Sequence, residues 1–546
     1  YAKVYQYDSL GRMNELRTYQ GLAYGTEPEV STSDFASTTW IYDLQRGWLV
    51  EKNHDGESDD PTADPVVGAA DYTHTLSGRL KTRTWERGVV TTYTYDKGML
   101  DTVTYTSDPA KTPNVAYSYD AFGRTLTVIQ SKNGTGTSPL SSITYEYDPS
   151  NLMLSKETVS YDTDANGTAN LTKVINRHLD DYLRPESLEI TGEYTSGYSY
   201  DEAGRLGGVW VHPTLDVTTK APTGTADFVY GYQANSSSLV KTVTGPAHTV
   251  TNFWEGYRNV LLYKKNEGVS PTKNISKYSY SMAGAPLFGA NSLGQRKNLT
   301  TTGLAFDHDG NTFNFTDETE TGPAYSWDYN ERGELVEAND SSSTIFDRAY
   351  QYDSIGNRQK TVDGLVGDLP GTSNYDANSQ NQYTKANGVT LPTPAYDADG
   401  NHTNGPLPVA SGNATWTWDA ENRLIEITRA DTTVINYAYD ALSRRIRKKI
   451  GSATADHYLY DGWNVIVEYA GFSLSKTYIW GMDLSGSMQG AGGVGGLLAL
   501  KYGASTYYPT YDGNGNVSEY LNSASVVQAH YEYDAFGNTI IAGGAK

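Results

Sequence analysis

The sequence predicts an all-β fold: an array of β-hairpins forming one long spiralling sheet that rolls into a hollow shell or tube. Three observations predict it. The phrase "YQYDSLGR" at residues 5–12 returns as "YQYDSIGN" at 350–357 and as "YEYDAFGN" at 531–538. From mid-chain onward its key polar position falls at Asn330, Asp353, Asp376, Asp397, Asp419, Asp440, Asp461 and Asp483, in steps of 23, 23, 21, 22, 21, 21 and 22 residues. Finally, 45 Tyr and 54 Gly in 546 residues suit pleated, half-buried strands joined by turns.

Each part of the phrase, Tyr-x-Tyr-Asp-x-x-Gly-(Arg/Asn), has a physical reason. Good copies supply Tyr5, Tyr7, Asp8, Gly11 and Arg12; Tyr117, Tyr119, Asp120, Gly123 and Arg124; and Tyr198, Tyr200, Asp201, Gly204 and Arg205. Two more supply Tyr350, Tyr352, Asp353 and Gly356, and Tyr531, Tyr533, Asp534 and Gly537. Looser copies supply Trp416, Trp418, Asp419, Asn422 and Arg423, and Tyr437, Tyr439 and Asp440. Aromatic residues two apart share one face of a strand. The Asp accepts hydrogen bonds from amides just beyond it and favours a turn. Three residues later the chain needs positive φ, which Gly provides and for which Asn151, Asn422 and Asn464 are the expected substitutes. Segments such as "RLIEITRA" then start a second strand, so one repeat of roughly 20 residues is one hairpin.

A lone hairpin is marginal in water, so the copies must pair with one another, and the twist of a sheet this large makes it coil. The organisation expected is a hairpin array over 1–394, irregular in its N-terminal half, followed by further repeats over 395–546. At about 16 Å² of sheet per residue the chain tiles on the order of 8,000 Å². Closed as a single-layer sphere, that is a radius of about 25 Å, with room for at most a small domain.

A formal charge of −22 and a pI near 4.8 argue against nucleic acid or an anionic membrane as partner, since both are bound by neutralising phosphates with Lys and Arg. With no Cys there are no disulfides and no thiolate metal sites. The mean hydropathy of −0.56 fits a thin wall with two partly wetted faces.

The phrase resembles the YD repeat of bacterial Rhs proteins, shared with the C component of Tc toxins and with teneurins. The resemblance covers nearly the whole chain. It is most specific from about residue 395, where "AYDADGN", "WTWDAENRLIEI", "YAYDALSRR", "YLYDGWNVIVEY", "YIWGMDLSGSMQGAGGVGGLLAL", "YYPTYDGNGNVSEYL" and "AHYEYDAFGN" follow one another as at the approach to the Rhs-associated core. What the resemblance implies is a hollow β-shell enclosing a C-terminal toxin, which a core segment resembling Asp-Pro-x-Gly cuts free. The sequence stops at "YEYDAFGNTIIAGGAK", before that segment, and starts in mid-array. The expectation is therefore a container wall without contents or lid, from a secreted or cell-surface bacterial protein. Its partners would be its own toxin or effector domain and a secretion apparatus or surface component.

Other patterns are weighed against ordinary structure. Alternating oxygen ligands in "DHDGN" (Asp307, Asp309, Asn311), "DADGN" (Asp397, Asp399, Asn401), "DGNGN" (Asp512, Asn514, Asn516) and "DTDANG" (Asp162, Asp164, Asn166, Gly167) resemble the front of a Ca²⁺ loop. The last of these puts Lys173 where an EF-hand needs Glu, and repeat turns demand the same residues, so turns are the expectation and Ca²⁺ the one cofactor the sequence offers. Residues 484–500, "LSGSMQGAGGVGGLLAL", have the length of a membrane helix but too many glycines for one, and are expected as a loop or flat strand against the inner wall. The run "RRIRKK" from Arg444 to Lys449 is expected as a solvated strand with local salt bridges. The tyrosines are expected to stack in ladders between hairpins. No H-E-x-x-H, P-loop, G-x-S-x-G or Cys nucleophile occurs, so no catalytic residue is assigned. Two other readings compete with the toxin shell. A surface adhesion or carbohydrate-binding module is favoured by Ser/Thr/Asn-rich insertions such as 131–141 and 213–226, whereas a polysaccharide-degrading enzyme has no motif behind it.

Overall fold

The computed structural model describes residues 3–19, 35–54, 69–110, 112–131, 139–162, 170–234, 236, 238–254, 261–268, 274–281, 298–302, 321–330, 332–340, 347–353, 355–363, 372–378, 381–407, 410–512 and 514–544. These residues form 43 strands, paired antiparallel, and no α-helix. The phrase builds each hairpin as expected from its chemistry. At the first copy, Asp8 N–H donates to the Arg12 carbonyl (2.9 Å), Gly11 N–H donates to the Asp8 carbonyl (3.0 Å), and Gly11 has φ of +77°. This is a turn closed by a left-handed residue, and the strand register slips between Gln6 and Tyr7, as such a bulge requires.

Positive φ recurs at Gly123, Gly204, Gly333, Gly356, Gly537 and Asn422, but two of the three expected asparagines differ. In the turn after Tyr147 the chain is one residue longer, Leu152 N–H closes on the Asp148 carbonyl, and Leu152 takes φ of +63° in place of Asn151. In the hairpin Asp456–Asp461/Asn464–Ala470 only two residues separate the strands, and Gly462 (φ +57°) takes the position expected of Asn464. Loop length decides which residue goes left-handed.

The single sheet expected from the repeat is divided. A first sheet of 27 strands ends at Thr372–Asn374, and a second of 13 starts at Asn404–Leu407. Between them stand a small three-stranded sheet over Asp376–Thr390 and then Pro392 and Pro394, which have no amide to give to a ladder.

The second sheet lies against the first. One core joins Ile143, Ile175 and Val209 of the first sheet to Leu459, Val467 and Ile479 of the second. Contacts between the sheets advance together along both: Arg83 meets Glu421, Arg177 meets Asp461, Tyr194 meets Tyr478, and Tyr230 meets Met482. A meander folded back on itself would pair rising numbers with falling ones. Paired rising numbers are the mark of a spiral. Arg177 sits on the thirteenth strand and Asp461 on the thirty-sixth, so a circuit takes 23 strands. At about 4.8 Å each, that is ~110 Å around and ~35 Å across at the backbone. The doubled layer makes the spiral tighter than the single-layer sphere of the sequence estimate.

Candidate functional site

The repeated unit is the structure's dominant constructed feature. In each good copy the Asp carboxylate holds the turn: Asp120 Oδ1 accepts from the amides of Phe122 and Arg124 (both 2.9 Å), while Oδ2 accepts from Arg124 Nε (2.7 Å). The same set recurs at Asp8 with Arg12, Asp201 with Arg205, Asp419 with Arg423 and Asp440 with Arg444. Where Asn follows the turn, its Nδ2 does the same work, as Asn357 for Asp353 and Asn538 for Asp534 (2.9 and 2.7 Å). The Arg205 guanidinium holds the Asp201 carboxyl below the usual carboxylate range.

In many copies the second aromatic of the phrase ties its hairpin to the preceding one. Tyr147 Oη donates to the carbonyl of Thr125, the residue after Arg124, and that guanidinium lies over the Tyr147 ring at 4.1 Å. Tyr200 does so with Pro185 and Arg184, Tyr439 with Leu424 and Arg423, and Tyr460 with Arg445 and Arg444. Tyr119 and Tyr533 donate to the carbonyls of Leu100 and Val517, and Trp418 uses its indole N–H on the carbonyl of His402 (2.8 Å). The expected tyrosine ladder is thus largely an alternation of arginine and tyrosine. Ring faces attract the cation, and the phenol keeps its hydrogen bond. Tyr147→Phe keeps the ring and removes the bond, and is expected to cost about 1 kcal/mol, read as a lower urea midpoint with an unchanged slope.

First aromatics turn toward the layers. Tyr198 and Tyr350 are buried, whereas Tyr117, Tyr437, Tyr531 and Trp416 are half-buried, the last stacked on His402 at 4.6 Å. Tyr352 is half-buried on its strand, while Tyr5 and Tyr7 on Lys3–Tyr7 are exposed.

Between the layers run ion pairs that no local pattern announces. Arg177 bridges Glu157 (2.9 Å) and Asp461, and Arg87 reaches Asp399 and the carbonyls of Trp418 and Asp419. Glu193 takes both Lys173 and the Tyr469 hydroxyl. Near the C-terminus His530 is buried between Glu532 (2.8 Å) and Glu519 (3.4 Å), with Thr510 donating to Glu519.

The remaining sequence candidates resolve as structure. The Asp397 and Asp512 loops are turns whose first carboxylates bind Asn401 and Asn516, and Asp399 faces Arg87 where a cation would sit. The 307–311 loop, and 163–169 of the fourth, lie outside the described residues. Arg444, expected in water, is buried on Asp440, and the strand Arg445–Ile450 follows it. Residues 484–496 form glycine-rich turns around Asp483, whose Oδ2 accepts the amides of Ala491 and Gly493, and a strand starts at Leu497. No helix among the described residues is long and apolar enough to cross a membrane.

Comparison with known proteins agrees with this geometry. A family model described as RHS Repeat matches residues 411–454. The tRNA3(Ser)-specific nuclease WapA of Bacillus spizizenii is 31% identical over 215 residues, which are 38% of this chain and 8% of that protein. The tRNA nuclease WapA of Bacillus subtilis is 30% identical over the same length and shares. Among solved structures, the Photorhabdus luminescens Tc holotoxin pore superposes with a TM-score of 0.69 at 14% identity, and a TcdB2-TccC3 crystal structure with 0.68 at 15%. Each covers 100% of this chain, and 28% of the matched chain. Phrase, family match and shell-like fold agree in one likeness, to the YD repeat of Rhs proteins, which the family model places at residues 411–454.

Proposed function

We propose that this chain is the structural wall of an Rhs shell that encapsulates a C-terminal toxin or effector domain. The single observation that carries the reading is the spiral return of the second sheet over the first, with contacts that advance together. Such a wall surrounds space, and the hairpin clasps stiffen it. The likeness to WapA nucleases and to Tc toxin structures supports a toxin as the content. On this reading residues 1–394 are the array, 395–546 approach the Rhs-associated core, and the repeat residues from Tyr5 to Gly537 serve construction. Enzymatic activity belongs to the enclosed domain, no cofactor serves the wall, and the parent protein is secreted or held at a bacterial surface.

The test is cryo-EM of the full-length parent protein together with limited proteolysis. Interior density traced to a cleaved C-terminal fragment that stays with the wall is the expected result. A wall without interior density and without a released fragment, whose loops bind cells or glycans, overturns the reading in favour of adhesion.

A further inference from the structure

A cavity of about 390 Å³ lies where the segment joining the two large sheets crosses the beginning of the first. Its volume is within the range of small-molecule sites. Strand register builds its floor. Leu16 pairs with Thr38; Trp40, two residues on, pairs with Lys52; Lys52 pairs with Ala70; and Tyr72 follows Ala70 by two, so all of these side chains share one face of the sheet. Two turns lie above that floor, one closed by the Asn378 amide on the Gln382 carbonyl and one by the Asp397 amide on the Asn401 carbonyl (both 2.9 Å). The Arg87 amide pins the second turn by donating to Asp399 Oδ1 (3.0 Å).

Part of the polar lining is spent on the protein itself. Trp85 donates its indole N–H to the Ala420 carbonyl, Asp399 faces Arg87, Thr38 Oγ1 and His54 Nδ1 bond each other, and Glu86 has a partner of its own. Three groups differ. Among the described residues the Lys52 ammonium meets no carboxylate and only the Trp40 ring, at 5.9 Å, and the Tyr72 hydroxyl has no hydrogen-bond partner. Gln382 accepts Asn378 Nδ2 at its Oε1 (3.0 Å) and leaves Nε2 unused against Gly400, which lines the same cavity. All three residues are half-buried, and none of the three atoms is shut away from solvent. Burial pushes the Tyr72 phenol up, so it keeps its proton and can donate.

We propose that this cavity binds a neutral polyhydroxylated molecule the size of one sugar ring, whose hydroxyls are taken by Lys52, Tyr72 and Gln382 while its C–H face rests on Leu16 and Ala70. Lys52 of one sign and Glu86 and Asp399 of the other line the same space, so a charged ligand meets repulsion as well as attraction. Hydroxyls, which donate and accept, suit such a mixed lining. The site lies under the turns that join the sheets, and it is independent of what the wall encloses.

The experiment is calorimetric titration of the full chain with glucose, galactose and mannose, and with glucuronate and glucosamine as charged counterparts. At least one neutral hexose is expected to saturate at millimolar concentration, at least tenfold tighter than either charged counterpart. Tyr72→Phe and Lys52→Met, which keep the apolar part of each side chain, should each weaken it at least threefold while the unfolding profile stays that of the wild type. Bound sugar should also slow amide exchange at Gln382 and Asn401, in the turns over the cavity. A hexose bound equally by the wild type and both variants would sit elsewhere and overturn the site. A charged counterpart binding as tightly would overturn the neutral class. Failure of all three hexoses to saturate at millimolar concentration would remove the proposal altogether.

Discussion

Asp440→Ala is expected to lower stability by about 3–5 kcal/mol, the cost of leaving one partner of a buried ion pair behind. Asp440 is completely buried and Arg444 is 5% exposed. Asp440 Oδ1 accepts from the amides of Leu442 (3.0 Å) and Arg444 (2.9 Å), and Oδ2 from Arg444 Nε (2.8 Å). Removing the carboxylate frees two turn amides and strands a guanidinium left with the Gly462 carbonyl, the Tyr460 ring face and, at 4.0 Å, Glu157. The same change at Asp8 should cost far less, because water reaches the Arg12 pair. The measurement is the urea midpoint of each variant, with the double variant Asp440→Ala/Arg444→Met as control. It should recover much of the loss, since the orphaned charge is gone. An Asp440→Ala protein as stable as wild type would refute the buried-pair account.

The second large effect is a dependence on pH. Burial by itself disfavours a charge on His530, but the hydrogen bonds it donates to the Glu519 and Glu532 carboxylates, and their negative charges, outweigh it and push the imidazole up to about 9 from 6.5. A group raised on folding contributes stability that is fully present below its unfolded value and is lost as pH rises through its folded value. The contribution is therefore complete below pH 6.5, declines between 6.5 and 9, and is gone above, about 3 kcal/mol in all. His530→Gln should remove it. Unfolding midpoints at pH 6, 8 and 10 should converge between wild type and variant as pH rises, and a constant gap would sink this prediction.

Much of this was legible because the repeat is local. The turn needs only five consecutive residues, so Asp8 to Arg12 declares its own geometry, and Gly at the left-handed position is readable wherever the loop length is standard. Asn151 and Asn464 misled because one residue more or less in the loop moves the strained position. The clasp was half legible: the Arg and the second Tyr are in the phrase, but their partnership joins different hairpins, as Arg124 and Tyr147 show. Pairs between layers left no trace in the sequence. Arg177 and Asp461 lie 284 residues apart; Glu519 and His530 are cross-strand neighbours whose register no local pattern announces.

The clasp also faces backwards along the chain. The clasping Tyr or Trp donates to a carbonyl of the hairpin before it, 14 residues earlier at Tyr511 and 29 at Tyr42. A newly synthesised hairpin therefore meets an acceptor that already exists, and the entropy of closing so short a loop is small. The layer contacts, such as Arg83 with Glu421 across 338 residues, can close only after a full circuit is in place. Low contact order in the wall and high contact order between its layers set a sequence of events: the chain lays down its ribbon from the N-terminal side, then wraps it.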